Sequence, residues 1–174
     1  MKPHLPILTA LLFAPLVVVH AADSDLRKPI RIASGLIEGI HDPTSGVVSF
    51  KGVPYAAPPL GNLRWREPQP ALAWDGIRTA DKFGAACTQP PSPRGKQPSE
   101  MSEDCLFINV WTPAKSSEDK LAVLFFVHGG AGLFGSGNMN GSELARKGII
   151  VVTMNYRLGL FAGMGHPELS AESP

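Results

Sequence analysis

Val123-Leu124-Phe125-Phe126-Val127-His128-Gly129-Gly130-Ala131-Gly132 joins a short, wholly apolar run to a cluster of glycines. Five apolar residues with β-branched ends suit a strand buried on both pleat faces, as in a sheet covered on both sides. Glycines directly after such a strand let the chain turn sharply and let backbone N–H groups point into a cavity with no Cβ in the way. Open α/β sheets place their sites at the carboxyl ends of their strands. These ten residues therefore predict an α/β fold with a backbone-donor loop at a strand end. For His128, Gly129 and Gly130 taken alone, a plain glycine-rich turn is the competing reading.

Outward from this stretch, residues 106–111 and 149–155 are further apolar, β-rich segments and read as strands. Between them only residues 142–147 read as helix, with Ser142 as N-cap and Gly148 as stop. One such turn cannot cover a central sheet, so residues 22–174 read as the amino-terminal part of a larger, incomplete α/β domain. Residues 30–50 carry short apolar segments punctuated by Gly35, Gly39, Pro43 and Gly46, an antiparallel opening that leads into a mostly parallel central sheet. Residues 51–70 hold Pro54, Pro58, Pro59, Pro68 and Pro70 and read as ordered loop. The proline-rich, polar residues 88–100 read as surface.

At the amino terminus, Lys2 precedes an apolar run from Leu5 to Val19, and Val19 and Ala21 are small enough for a peptidase site. Residues 1–21 thus read as a signal peptide, and the protein as secreted or periplasmic. The run is interrupted by Pro6 and Pro15 and falls short of the roughly 20 residues of a spanning helix, so no membrane span is expected after its removal. Formal net charge is +1, and without Lys2 the chain has 15 basic against 15 acidic side chains. Such a balance gives no electrostatic reason to expect nucleic acid as a partner. In an oxidising compartment Cys87 and Cys105 are expected to pair, the alternative being two unrelated buried thiols. Two cysteines with no histidine at ligand spacing cannot complete a zinc site, and no cofactor is expected.

Several motifs carry a resemblance. His128-Gly129-Gly130-Ala131 is similar to the HGGG-type oxyanion loop of lipases and esterases. Phe50-Lys51-Gly52-Val53-Pro54-Tyr55-Ala56, Leu63-Arg64-Trp65, Ser102-Glu103-Asp104-Cys105-Leu106 and Asn155-Tyr156-Arg157-Leu158-Gly159 resemble the type-B carboxylesterase family, in its order and spacing. The resemblance runs from Ile37 onward and implies an α/β-hydrolase fold and hydrolysis of a small-molecule carboxylic ester through an acyl-enzyme. By position, it implies that the N–H groups of Gly130 and Ala131 are oxyanion donors, with His128, Gly129 and Gly132 as loop scaffold. It also implies a Cys87–Cys105 disulfide and a buried structural ion pair between Arg64 and Glu103.

Two features depart from the family pattern. Gly132 stands where an aromatic residue is usual, which widens the acyl pocket or loosens the loop. No serine lies in Gly-x-Ser-x-Gly, so the resemblance implies a nucleophile, acid and base beyond Pro174. The 174 residues by themselves are accordingly expected to be inactive. A non-catalytic esterase-like binding or adhesion module, or an inactive truncated product, are the competing readings. Residues 88–104 contain no aromatic side chain to stack on a quaternary ammonium, so neutral esters are expected to be preferred over choline esters.

Overall fold

A computed structural model of the chain describes residues 25–92, 95, 97–163 and 166–172. The expected signal peptide, residues 1–21, lies outside the described residues. In chain order the strands are β1 (Ile30–Ile32), β2 (Gly35–Glu38), β3 (Ile40–His41), β4 (Val48–Pro54), β5 (Ile77–Thr79), β6 (Ala86–Cys87), β7 (Met101–Ser102), β8 (Phe107–Thr112), β9 (Val123–Val127) and β10 (Ile150–Met154). Two short helices follow β9 and β10, α1 (Ser142–Ala145) and α2 (Pro167–Glu172).

The three apolar segments of the sequence become β8, β9 and β10, three adjacent strands of a five-stranded sheet in the order β3-β4-β8-β10-β9. β8 pairs antiparallel with both β4 and β10, whereas β10 and β9 run parallel. The long connection from β9 to β10, through the glycine loop and α1, is what permits that parallel pair, because a tight hairpin can only join antiparallel strands. Within the described residues the sheet is therefore mixed, with an antiparallel opening and a single parallel pair. β1, β2 and β5 make a separate small sheet, and β6 and β7 a two-stranded one.

Two local expectations are corrected. Residues 51–54 are not loop but the second half of β4, which continues past Gly52 through a register shift between Phe50 and Val53. Gly52 has φ +64°, and a Cβ there would lie 2.5 Å from the Lys82 carbonyl oxygen. The bulge turns the Gly52 N–H away from the ladder onto Asn109 Oδ1 (2.9 Å), and Pro54 is tolerated because it is the strand's last residue. Ser142, in turn, is the first residue of α1 and not its cap. Gly141 holds the N-cap position, where a Cβ would meet the Trp111 ring at 2.7 Å. The Ser142 N–H is taken by Asn140 Oδ1 (3.0 Å), and Gly148 at φ +90° follows the helix as its stop.

Packing concentrates in three places. Trp111, Val47, Val151 and Ala145 close one face of the sheet against α1. Ile37, Val48, Phe50, Val53 and Ala80 fill the space under the small sheet. Ala56, Leu106 and Leu158 pack around Cys87 and Cys105, which form a disulfide with Cα atoms 4.9 Å apart. β9 lies at the sheet's edge, with Val123, Phe125 and Val127 59%, 53% and 56% exposed. The described residues thus leave uncovered the strand whose composition asks for cover on both faces. A groove of about 780 Å³ lies over the sheet and is lined by Ile30, Phe50, Val53, Ile108, Val110 and Ile150. None of its walls comes from the glycine loop.

Because Cys87 and Cys105 are 18 residues apart, cross-linking them removes loop-closure entropy worth about 3 kcal/mol from the unfolded chain. Replacing both with serine is expected to lower the unfolding free energy of the complete gene product by that amount in urea titration. A loss below about 1 kcal/mol would contradict the entropic account.

Candidate active site

β9 delivers His128 into the sheet and the glycine loop onto its rim. His128 is buried at 6% exposure, while Gly129, Gly130 and Ala131 are exposed. The imidazole stacks on the Tyr156 ring, centroids 4.4 Å apart and planes at 19°. The Tyr156 hydroxyl donates to the His128 carbonyl (2.6 Å), and His128 Nδ1 lies 2.9 Å from the Gly129 carbonyl oxygen. Its Nε2 is buried with no partner among the described residues. A ring so enclosed fixes where the loop departs from β9.

After Gly129, three successive residues have positive φ: Gly130 at +124°, Ala131 at +54° and Gly132 at +70°. Glycine adopts such angles freely, but alanine in the left-handed region costs about 1–2 kcal/mol. That strain at Ala131 is held by the turn around it, in which the Gly130 carbonyl accepts from the N–H groups of Leu133 (2.9 Å) and Phe134 (3.1 Å). A Cβ on Gly130 would lie 2.0 Å from the Phe134 carbonyl oxygen. The N–H groups of Gly130 and Ala131 meet no acceptor among the described residues. Successive N–H groups in such conformations form a concavity that attracts negative charge.

Further along, the loop is held by side chains that the motif reading did not single out for this role. Asn155 Oδ1 accepts from the Gly137 N–H (2.7 Å), while Asn109 Nδ2 (3.2 Å) and the Thr153 hydroxyl donate to the Gly137 carbonyl. Asn109, Thr153 and Asn155 are 0%, 3% and 1% exposed, and Asn155 Nδ2 also donates to the Ala85 carbonyl (3.0 Å). Polar side chains on the inner faces of apolar strands were the available signal, since buried polar groups need partners. The Gly159 N–H donates to the Gly132 carbonyl (2.7 Å), and the Tyr55 hydroxyl to the Asn155 carbonyl (2.9 Å). Burial raises the Tyr55 pKa above its ordinary value, against the pull of Arg157, which keeps the phenol protonated for that donation.

Comparison with known proteins gives the family. The family model described as the Carboxylesterase family matches residues 27–168. The chain belongs to the carboxylesterase family. It is 41% identical over 170 residues to the fumonisin B1 esterase of Sphingopyxis macrogoltabida, covering 95% of this chain and 31% of that protein. It is 42% identical over 134 residues to the para-nitrobenzyl esterase of Bacillus subtilis, covering 73% of this chain and 27% of that one. Its structure superposes on the crystal structure of Aspergillus niger EstA with a TM-score of 0.72 at 33% identity, over 82% of this chain and 28% of that chain. The chain therefore spans about 30% of the length of the carboxylesterases it matches, and its partly formed sheet is part of their α/β-hydrolase fold.

In this carboxylesterase-family chain the remaining motif residues gather around the same end of the sheet. Arg64 and Glu103 form a two-pronged ion pair, through Nε to Oε2 and through Nη2 to Oε1 (3.1 Å). The expectation that it is buried is corrected, because the two side chains are 39% and 27% exposed. Arg64 follows a 3-10 turn at Gly61–Leu63 and Glu103 adjoins the disulfide, both on connecting segments, and the two line a small cavity with Pro59, Leu158 and Phe161. Solvent screening leaves such a pair a positioning role more than an energetic one. Arg157 adds to it by donating to the carbonyls of Arg64 (3.0 Å) and Arg66 (2.9 Å). A Cβ on Gly132 would meet nothing within 4 Å, so the absence of a side chain there leaves open space beside the two N–H groups.

Proposed function

We propose that this chain is the oxyanion-hole portion of an exported serine carboxylesterase. The observation that carries the reading is the exposed pair of N–H groups at Gly130 and Ala131, free of acceptors among the described residues and fixed by a turn at the carboxyl end of β9. In ester hydrolysis a serine hydroxyl adds to the substrate carbonyl, and the carbonyl oxygen gains negative charge in the tetrahedral intermediate. Donors held in place beforehand stabilise that charge without reorganising at the moment of reaction, an effect of about 3–4 kcal/mol per donor. Collapse of the intermediate expels the alcohol, and water then releases the acid from the acyl-serine. The nucleophile, acid and base are needed in addition to the residues described here, since no serine of this chain lies in Gly-x-Ser-x-Gly. Export is supported by the charged and apolar pattern of residues 1–21 and by the Cys87–Cys105 disulfide.

The substrate reading is a neutral carboxylic ester. The disulfide loop offers no aromatic face for a quaternary ammonium, and Gly132 leaves space for the acyl group. The complete gene product is expected to hydrolyse p-nitrophenyl acetate, to incorporate a fluorophosphonate probe at one serine, and to turn over a choline ester no faster than its uncharged isostere. Absence of both turnover and labelling would reject the esterase reading in favour of a binding module. A preference for the choline ester would reject the substrate class alone.

A further inference from the structure

The loop at residues 128–138 has one support that comes from inside the disulfide loop. Gln89, two residues after Cys87, pairs with both backbone groups of Gly135: its Oε1 accepts from the Gly135 N–H (2.8 Å) and its Nε2 donates to the Gly135 carbonyl (2.9 Å). The same Nε2 donates to the Cys87 carbonyl (3.0 Å), which ties the amide to the residue anchored by the disulfide. Gly135 is in turn pressed against the start of the loop. At φ +112°, a Cβ there would lie 2.4 Å from His128 Nδ1 and 2.8 Å from the Gly129 carbonyl oxygen. The peptide that Gln89 grips is thus the surface on which His128 and Gly129 rest.

We propose that Gln89 is a positioning residue that holds the 128–138 loop in its donor-presenting shape, transmitting the fixed geometry of the disulfide to the N–H groups of Gly130 and Ala131. The role needs an acceptor for the Gly135 N–H and a nitrogen that donates twice, to the Gly135 and Cys87 carbonyls, at the end of a two-carbon stem, which only glutamine supplies. Glutamate keeps the acceptor and loses the donor, and methionine has the length with neither. The other supports act elsewhere, at His128, Gly132 and Gly137, so no other side chain described here grips Gly135. The consequence for catalysis rests on the oxyanion reading above. The grip itself does not.

The test uses Gln89→Met and Gln89→Glu in the complete gene product, with hydrogen exchange read by mass spectrometry alongside steady-state hydrolysis of p-nitrophenyl acetate. In Gln89→Met, amides in peptides covering residues 129–137 are expected to exchange about tenfold faster, the size set by losing the two neutral hydrogen bonds to Gly135, while β8 and β10 are unchanged. The same variant is expected to lose about tenfold or more in kcat with KM within twofold, because the donors act on the transition state and not on bound ester. Gln89→Glu keeps the acceptor for the Gly135 N–H but sets a carboxylate oxygen against the Gly135 and Cys87 carbonyls, so it should change both measurements at least as much as Gln89→Met. Unchanged exchange in the loop overturns the proposal whatever the kinetics show, and faster exchange with unchanged kcat overturns the link to catalysis. A wild-type product with no hydrolysis rejects the esterase reading, and the exchange comparison still decides whether Gln89 holds the loop.

Discussion

Gly130→Ala in the complete gene product should cost at least about a hundredfold in kcat for p-nitrophenyl acetate, with little change in global stability. The backbone at Gly130 sits at φ +124°, outside the range an alanine adopts without strain, and the new Cβ would meet the Phe134 carbonyl oxygen at 2.0 Å. The atoms it would meet are all Phe134 backbone, which cannot swing aside as a side chain could. The turn that joins Gly130 to Leu133 and Phe134 must open, and with it the direction of the two N–H groups changes. Removing one oxyanion donor commonly costs about 10²–10³ in rate, and here both are disturbed. Gly129→Ala is the matched comparison, since its added Cβ meets nothing within 4 Å and its φ is not positive. It should lose far less than Gly130→Ala. A Gly130→Ala protein within tenfold of wild type would show that these N–H groups do not carry the oxyanion.

Trp111→Ala should be the most destabilising single change in this part of the fold, by about 3–5 kcal/mol in urea unfolding of the complete gene product. Trp111 is 1% exposed and packs with Val47, Ala145 and Val151 between the sheet and α1. Its ring also fills the space beside Gly141, and the Phe83 ring lies 6.2 Å away. Truncation leaves a cavity among Val47, Ala145, Val151 and Gly141, on elements held in place by the β8 ladder to β4 and β10, so it closes only in part. Trp111→Phe retains most of the buried area and should lose clearly less. Equal losses for the two variants would mean that the indole's shape, and not its volume, supports α1.

Much of this arrangement is written in short-range pattern. The runs that became β8, β9 and β10 are identifiable because β-branched and aromatic residues fill them without a break. The loop stands out because its glycines directly follow a strand and because the other motifs lie in register with it, where the glycines alone would also fit a plain turn. Where pattern misled, a side chain from far along the chain was responsible. Gly52 and Pro54 read as loop, yet Asn109 accepts the N–H that the bulge displaces and the strand continues. Ser142 has a good capping side chain, but the Trp111 ring leaves room only for glycine at the cap position itself. The ion pair of Arg64 and Glu103 forms as the motifs imply, while its exposure depends on which surfaces happen to cover a turn and a disulfide loop.

By itself, then, the sequence determined the strands β8, β9 and β10, the glycine loop after β9 and the family, with the Cys87–Cys105 pairing implied by that family, because each depends on local composition or on motifs read in order. Only the tertiary structure decided how the loop is held. Tyr156 on His128, Gly159 on Gly132, Gln89 on Gly135, and Asn109, Thr153 and Asn155 on Gly137 are contacts across 16 to 46 residues of chain, apart from the shorter approach of the turn itself. A loop without its own ladder of hydrogen bonds has no local periodicity to read, and its shape is set by whichever distant groups satisfy its backbone.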